Sequence, residues 1–174
     1  MTKRLFLGIA LNKQQAKQIS QVQAKLDKSV RLIPIQNLHM TLAFLGLVSE
    51  EVQKQLEEQV SLMSKPQFQQ RLTTLTYWQK PQVLCLTGED PEPALSQLAR
   101  ECHSLTYLFN LQKNAHIFTP HITIARKAKS TLQEVTKSIV FKPLVLSPTV
   151  MHLYHSQSTE NGVNYHILRS WQLK

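Results

Sequence analysis

Two stretches of this sequence follow one pattern, Asn37-Leu38-His39-Met40-Thr41-Leu42 and Thr119-Pro120-His121-Ile122-Thr123-Ile124. Each reads as a β-strand, because His and Thr alternate with apolar residues. Side chains two apart on a strand share a face. His39 therefore projects with Thr41 while Met40, Leu42 and Phe44 oppose them, and His121 projects with Thr123 while Ile122 and Ile124 oppose them. One such strand is the ordinary signature of a half-buried histidine. A second in matching register predicts two similar halves. If those strands face each other, two imidazoles and two hydroxyls converge on one small volume.

The remaining sequence reads as alternating strands and helices. Leu5 to Ala10 is apolar or small throughout, as in a strand covered on both faces. Ala16, Ile19, Val22 and Leu26 then recur at helical spacing. Ser49, followed by Glu50 and Glu51, predicts a helix start after the first histidine strand, with Val52, Leu56, Val60 and Met63 facing inward. Phe68–Trp78 and Gln82–Thr87 predict two strands turned at Lys80-Pro81. Asp90-Pro91 predicts the start of the longest helix, carrying Leu95, Leu98, Cys102, Leu105 and Phe109. After the second histidine strand come a partly helical stretch at Ser130 to Ser138 and a broken strand region from Phe141 to His155. An Asn161-Gly162 hairpin signal leads into a last strand, Val163 to Trp171. This order indicates a mixed α+β protein. No linker divides residues 1–174, so one domain is expected.

Composition narrows the class. At 174 residues with 42% hydrophobic content, the chain can bury a core without a metal or disulfide staple. Cys85 and Cys102 are too few for a disulfide framework, which fits a reducing cytoplasm. The apolar start lacks a small-residue cleavage site, and no apolar run reaches the roughly 18 residues a membrane helix needs, so no membrane association is expected. A net charge of +9 favours an anionic partner.

The doubled motif suits metal-independent phosphodiester cleavage. One neutral imidazole can take a proton from the attacking oxygen while an imidazolium gives one to the leaving oxygen. Thr hydroxyls can donate to the non-bridging oxygens, and Arg126, just beyond Thr123, could add a forked positive donor. Strict alternation turns Arg126 away from His121. A strand end, a β-bulge or side-chain length could bring it back.

With these flanks the sequence resembles the 2H phosphoesterase superfamily, specifically its RNA 2′,3′-cyclic phosphodiesterases, also described as 2′-5′ RNA ligases. The matching pieces are Arg4-Leu5-Phe6, Asn37 to Gly46 and Pro120 to Arg126, with Met151 to Tyr154 and Tyr165 to Leu168 similar to the family's closing hairpin. The resemblance implies a bilobal fold of two antiparallel sheets related by pseudo-twofold symmetry, flanked by helices, with an active cleft between the lobes. It implies hydrolysis of RNA 2′,3′-cyclic phosphate ends to 2′-phosphomonoesters without metal, with reversible 2′-5′ joining in some relatives; apart from the resemblance, no cofactor and a monomer are expected. It casts His39 as proton donor and His121 as proton acceptor, where the residues alone fit either assignment. Thr41, Thr123 and Arg126 match positions that hold the phosphate.

Other candidates carry less. His103, His116, His152, His155 and His166 have no ligand spacing suited to zinc. Tyr77 and Trp78 either stack an unpaired base or fill the core. Lys13, Lys17, Lys25 and Lys28 form a solvated helix face or track a phosphate backbone. Two alternatives to the phosphodiesterase remain: an RNA or nucleotide-binding module with little turnover, and the same chemistry on another cyclic phosphate or a 2′-5′ linked oligonucleotide.

Overall fold

The computed structural model describes residues 1–88, 90–111, 117–129, 136–160 and 162–174. Its elements run β1 (Thr2–Ala10), α1 (Lys13–Gln23), β2 (Arg31–Leu32), a 3-10 turn at Ile35–Asn37, β3 (His39–Ser49), α2 (Glu50–Leu62), β4 (Gln70–Leu72), β5 (Thr74–Trp78), β6 (Val83–Thr87), α3 (Pro93–Leu108), β7 (His121–Arg126), β8 (Leu144–Leu146), β9 (Val150–Thr159) and β10 (Gly162–Gln172). The strands form two four-stranded sheets, ordered β10-β9-β1-β3 and β2-β7-β6-β5, and a two-stranded sheet β4-β8. Pairing is antiparallel throughout. The architecture is α+β, as the element order indicates.

Local chemistry explains the helix starts. Asn12 and Gln15 exchange side-chain and backbone hydrogen bonds at 2.9 Å, a capping box that opens α1. Ser49 caps α2 by accepting from the Val52 N–H. Leu5 through Ile9 of β1 are buried at successive positions, so both faces of that strand are covered, as its unbroken apolar run requires.

Several expectations need correction. Phe68–Trp78 is not one strand: the chain leaves strand pairing at Thr73, whose N–H donates to Thr87 O, so that β4 joins β8 while β5 joins β6. β8 is remote in sequence, and local alternation carries no sign of it. α3 starts at Pro93, not at Pro91, because the Glu92 carboxylate accepts from Ala94 and Leu95 N–H at 3.1 and 3.2 Å. Gln70 Oε1 takes the Glu92 N–H at 2.9 Å, which holds the helix start against β4. β2 and the 3-10 turn were not legible. Of the expected helical stretch at Ser130 to Ser138, 130–135 lie outside the described residues and 136–138 are helical. Asn161 also lies outside them, while the hairpin joining β9 to β10 is present.

α1 and α3 each pack on a sheet their preceding strand does not belong to, whereas α2 packs against β3, the strand before it. α1 follows β1 and packs against β7; α3 follows β6 and packs against β3. One apolar cluster joins both sheets, from Leu7 and Met40 to Leu84 and Ile122. β3 and β7, which share no backbone pairing, pack against each other within this arrangement.

Candidate active site

β3 and β7 begin with the same six-position plan. His39 and His121 are partly buried, Met40 and Ile122 buried, Thr41 and Thr123 partly buried, two residues follow that are both buried, and the sixth is exposed. Two successive buried residues break strand alternation, and the pairing shows why. Between Thr41 and Ala43 the register against β1 slips at Leu42, and between Thr123 and Ala125 the register against β6 slips at Ile124. Each slip is a β-bulge, which restores the next outward residue to the histidine face. The bulge answers the question about Arg126, which returns to the side of His121 and Thr123. It also corrects the expectation for Phe44, which occupies the equivalent position on β3, 49% exposed, on the side of His39 instead of the core.

In both strands a helix side chain hydrogen-bonds the carbonyl of the bulged residue, and in β7 that carbonyl, Ile124 O, also accepts the Ile33 N–H at 2.9 Å. Gln23 Nε2 on α1 donates to Ile124 O at 2.9 Å and also to Ile33 O. His103 Nε2 on α3 hydrogen-bonds Leu42 O at 3.0 Å. Gln23 is buried although polar, and this pair of carbonyls is its reason for being there. His103 is thus a structural imidazole.

Both motif imidazoles are held in the same tautomer. His39 Nδ1 lies 2.7 Å from Asn37 O, and His121 Nδ1 lies 2.8 Å from Thr119 O, in each case the carbonyl two residues upstream. A carbonyl only accepts, so Nδ1 carries the hydrogen and Nε2 is left for chemistry. His39 Nε2 is 3.1 Å from Thr41 Oγ1. Thr123 Oγ1 lies 3.5 Å from Cys85 Sγ, a thiol that burial pushes up to about 11 and so keeps protonated.

Aromatic rings wall the imidazoles. Phe6 lies 4.7 Å from the His39 ring and Tyr165 meets it edge-on at 4.9 Å, while Phe6 stacks on Tyr154 at 4.8 Å. Gly8 makes this possible: a Cβ there would stand 2.8 Å from Met40 O and 3.4 Å from the Phe6 ring. On the other side Trp78 lies 4.5 Å from the His121 ring, whereas Tyr77 packs against the core. Phe6 falls within the matching sequence pieces, but nothing in its local pattern marked it as a neighbour of His39.

Burial lowers the His39 pKa from 6.5 to about 4; the Asn37 carbonyl opposes this, and the His121 and Arg126 charges reinforce it. Those last effects place His121 and Arg126 in one electrostatic environment with His39. Burial also lowers the pKa of His121, against the raising effect of the Thr119 carbonyl. The structure thus places His39 and Thr41 on β3, and His121, Thr123 and Arg126 on β7, two strands that pack against each other. Among the described residues, no group of three or more His, Cys, Asp or Glu could hold a metal ion, and no helix is long and apolar enough to cross a membrane. His116 lies outside the described residues.

The sequence profile of the 2′-5′ RNA ligase superfamily matches residues 11–160. The chain belongs to the 2′-5′ RNA ligase superfamily. Within it, an RNA 2′,3′-cyclic phosphodiesterase of Escherichia coli K12 is 30% identical over 172 residues, covering 98% of this chain and 96% of that protein. Another from Thermotoga maritima is 25% identical over 182 residues, with the same two coverages. Among solved structures, E. coli LigT complexed with 3′-AMP superposes with a TM-score of 0.88 at 29% identity, over 99% of each chain.

Proposed function

We propose that this superfamily member opens 2′,3′-cyclic phosphate ends of RNA to 2′-phosphomonoesters, using His39 and His121 as a proton donor and acceptor in a cleft between the two large sheets. The observation that carries the reading is the repeated bulged strand, with both imidazoles fixed as Nδ1–H tautomers on two strands that pack together. The names of the two curated relatives support the same substrate class.

In this mechanism His121 Nε2 takes a proton from water as the water oxygen bonds to phosphorus. The P–O3′ bond breaks on the opposite side, and His39 Nε2–H gives its proton to O3′. Negative charge gathering on the non-bridging oxygens is met by the Thr41 and Thr123 hydroxyls and by the Arg126 guanidinium. The turnover ends with His39 neutral and His121 protonated, and exchange with solvent resets both. The departing O3′ stays on the nucleoside, so the acid belongs on the nucleoside side. A cavity of about 490 Å³ adjoining His39 favours that assignment, since it falls within the roughly 300–1,000 Å³ of small-molecule sites. With a 5′-hydroxyl as nucleophile in place of water, the same steps in the same direction give 2′-5′ joining, and run backwards, with the two histidines in exchanged roles, they open that linkage to the cyclic phosphate and a 5′-hydroxyl.

A panel of 2′,3′-cyclic nucleotides, assayed for product regiochemistry with and without EDTA, tests the proposal. The expected product is the 2′-phosphate alone, at a rate chelation does not change. A 3′-phosphate product, or loss of activity on chelation, overturns the mechanism.

A further inference from the structure

The cavity beside His39 has two unlike walls. Lys13 and Lys17, both exposed and one helical turn apart on α1, line one side. Ile35 and Ile167, each 52% exposed, line it together with Tyr165, whose ring edge meets His39. No acidic residue lines the cavity, and among the described residues neither lysine has a carboxylate within salt-bridge reach. A basic wall together with a half-exposed apolar and aromatic wall matches a single-stranded nucleic acid, which offers phosphates on one side and base faces on the other.

The geometry points to this cavity as the subsite for the RNA strand leading into the cyclic end, with Lys13 and Lys17 meeting its upstream phosphates and Ile35, Tyr165 and Ile167 contacting its bases. This inference rests on the activity proposed above, and on direction: the strand continues from the nucleoside that retains O3′, on the side of His39. A helix turn rises about 5.4 Å, so the two ammonium groups are stepped along the helix axis and can serve successive phosphates of an extended strand. The subsite predicts that the protein prefers a strand to a mononucleotide, and that the preference is ionic.

The test compares 2′,3′-cyclic AMP with a pentaribonucleotide ending in a 2′,3′-cyclic phosphate. In the wild-type protein at low salt the pentamer is expected to have the higher kcat/KM. In Lys13→Ala/Lys17→Ala the pentamer-to-mononucleotide ratio is expected to fall about tenfold, and its log–log salt slope by about 1.4, or roughly 0.7 per lost phosphate contact. Lys54→Ala/Arg100→Ala removes equal charge at exposed positions away from the cavity and is expected to preserve the ratio. An equal fall in that control, an unchanged ratio in the Lys13/Lys17 variant, or no wild-type preference for the pentamer overturns the subsite. Hydrolysis of neither substrate defeats the proposed activity instead. The subsite then stands or falls on fluorescence anisotropy with a labelled pentamer bearing a 2′-phosphate, whose Kd is expected to rise about tenfold in the Lys13/Lys17 variant and whose unchanged Kd overturns it.

Discussion

His39 sits where a proton is hard to hold. Its ring is closed in by Phe6 and Tyr165, and burial takes its pKa to about 4, below the ordinary 6.5. His121, against Trp78, is lowered in the same direction. Both imidazoles are therefore largely neutral at pH 7 in the free protein. A cyclic phosphodiester brings one negative charge between them and favours the imidazolium that His39 needs to act as an acid. Because kcat/KM reports the free enzyme and kcat the complex, the two profiles should differ. The kcat/KM profile is expected to peak below pH 6.5, and kcat at a higher pH; coincident optima at or above pH 7 contradict this account. The paired histidines, the two threonines and Arg126 were all legible as residues. Their aromatic neighbours were not, because Phe6, Tyr154 and Tyr165 reach His39 through strand pairing across β1, β9 and β10.

At the scale of elements, the two bulges decide which side chains share a face with the histidines. Without the slip at Ile124, alternation points Arg126 away from His121; with it, Arg126 and Thr123 share the site. The sequence could not disclose a bulge, since Thr123-Ile124-Ala125 alternates no differently from an unbroken strand. Phe44 was misplaced for this reason, and Arg126 was left undecided. Gln23 supports the bulge of β7 by bridging the carbonyls of Ile33 and Ile124 from α1, beside the Ile33 N–H that Ile124 O also accepts. Gln23→Leu retains much of the volume but removes both hydrogen bonds, at about 1 kcal/mol each. The expected outcome is a loss of about 2 kcal/mol in urea unfolding, together with a fall in kcat larger than any rise in KM, as Arg126 and Thr123 lose their register. A comparable stability loss with kcat intact assigns Gln23 to stability alone.

For the whole molecule, the helices tie the two halves together: α1 from one sheet supports the histidine strand of the other, and α3 returns the arrangement. Strand and helix order was legible because apolar spacing is a local signal. Long-range pairings such as β4 with β8 were not, because they join segments with no shared pattern. The doubled motif crossed that gap, since two similar strands imply two similar settings wherever they lie in the chain. The account requires His39 and His121 to act on one phosphorus as a unit, and single-turnover hydrolysis of 2′,3′-cyclic AMP by His39→Ala, His121→Ala and the double variant tests this directly. Each single change is expected to slow the reaction by about 10²–10⁴-fold in a protein that stays folded by circular dichroism, with the double variant little slower than either. A single variant within tenfold of wild type, or losses that multiply in the double variant, contradicts the shared site.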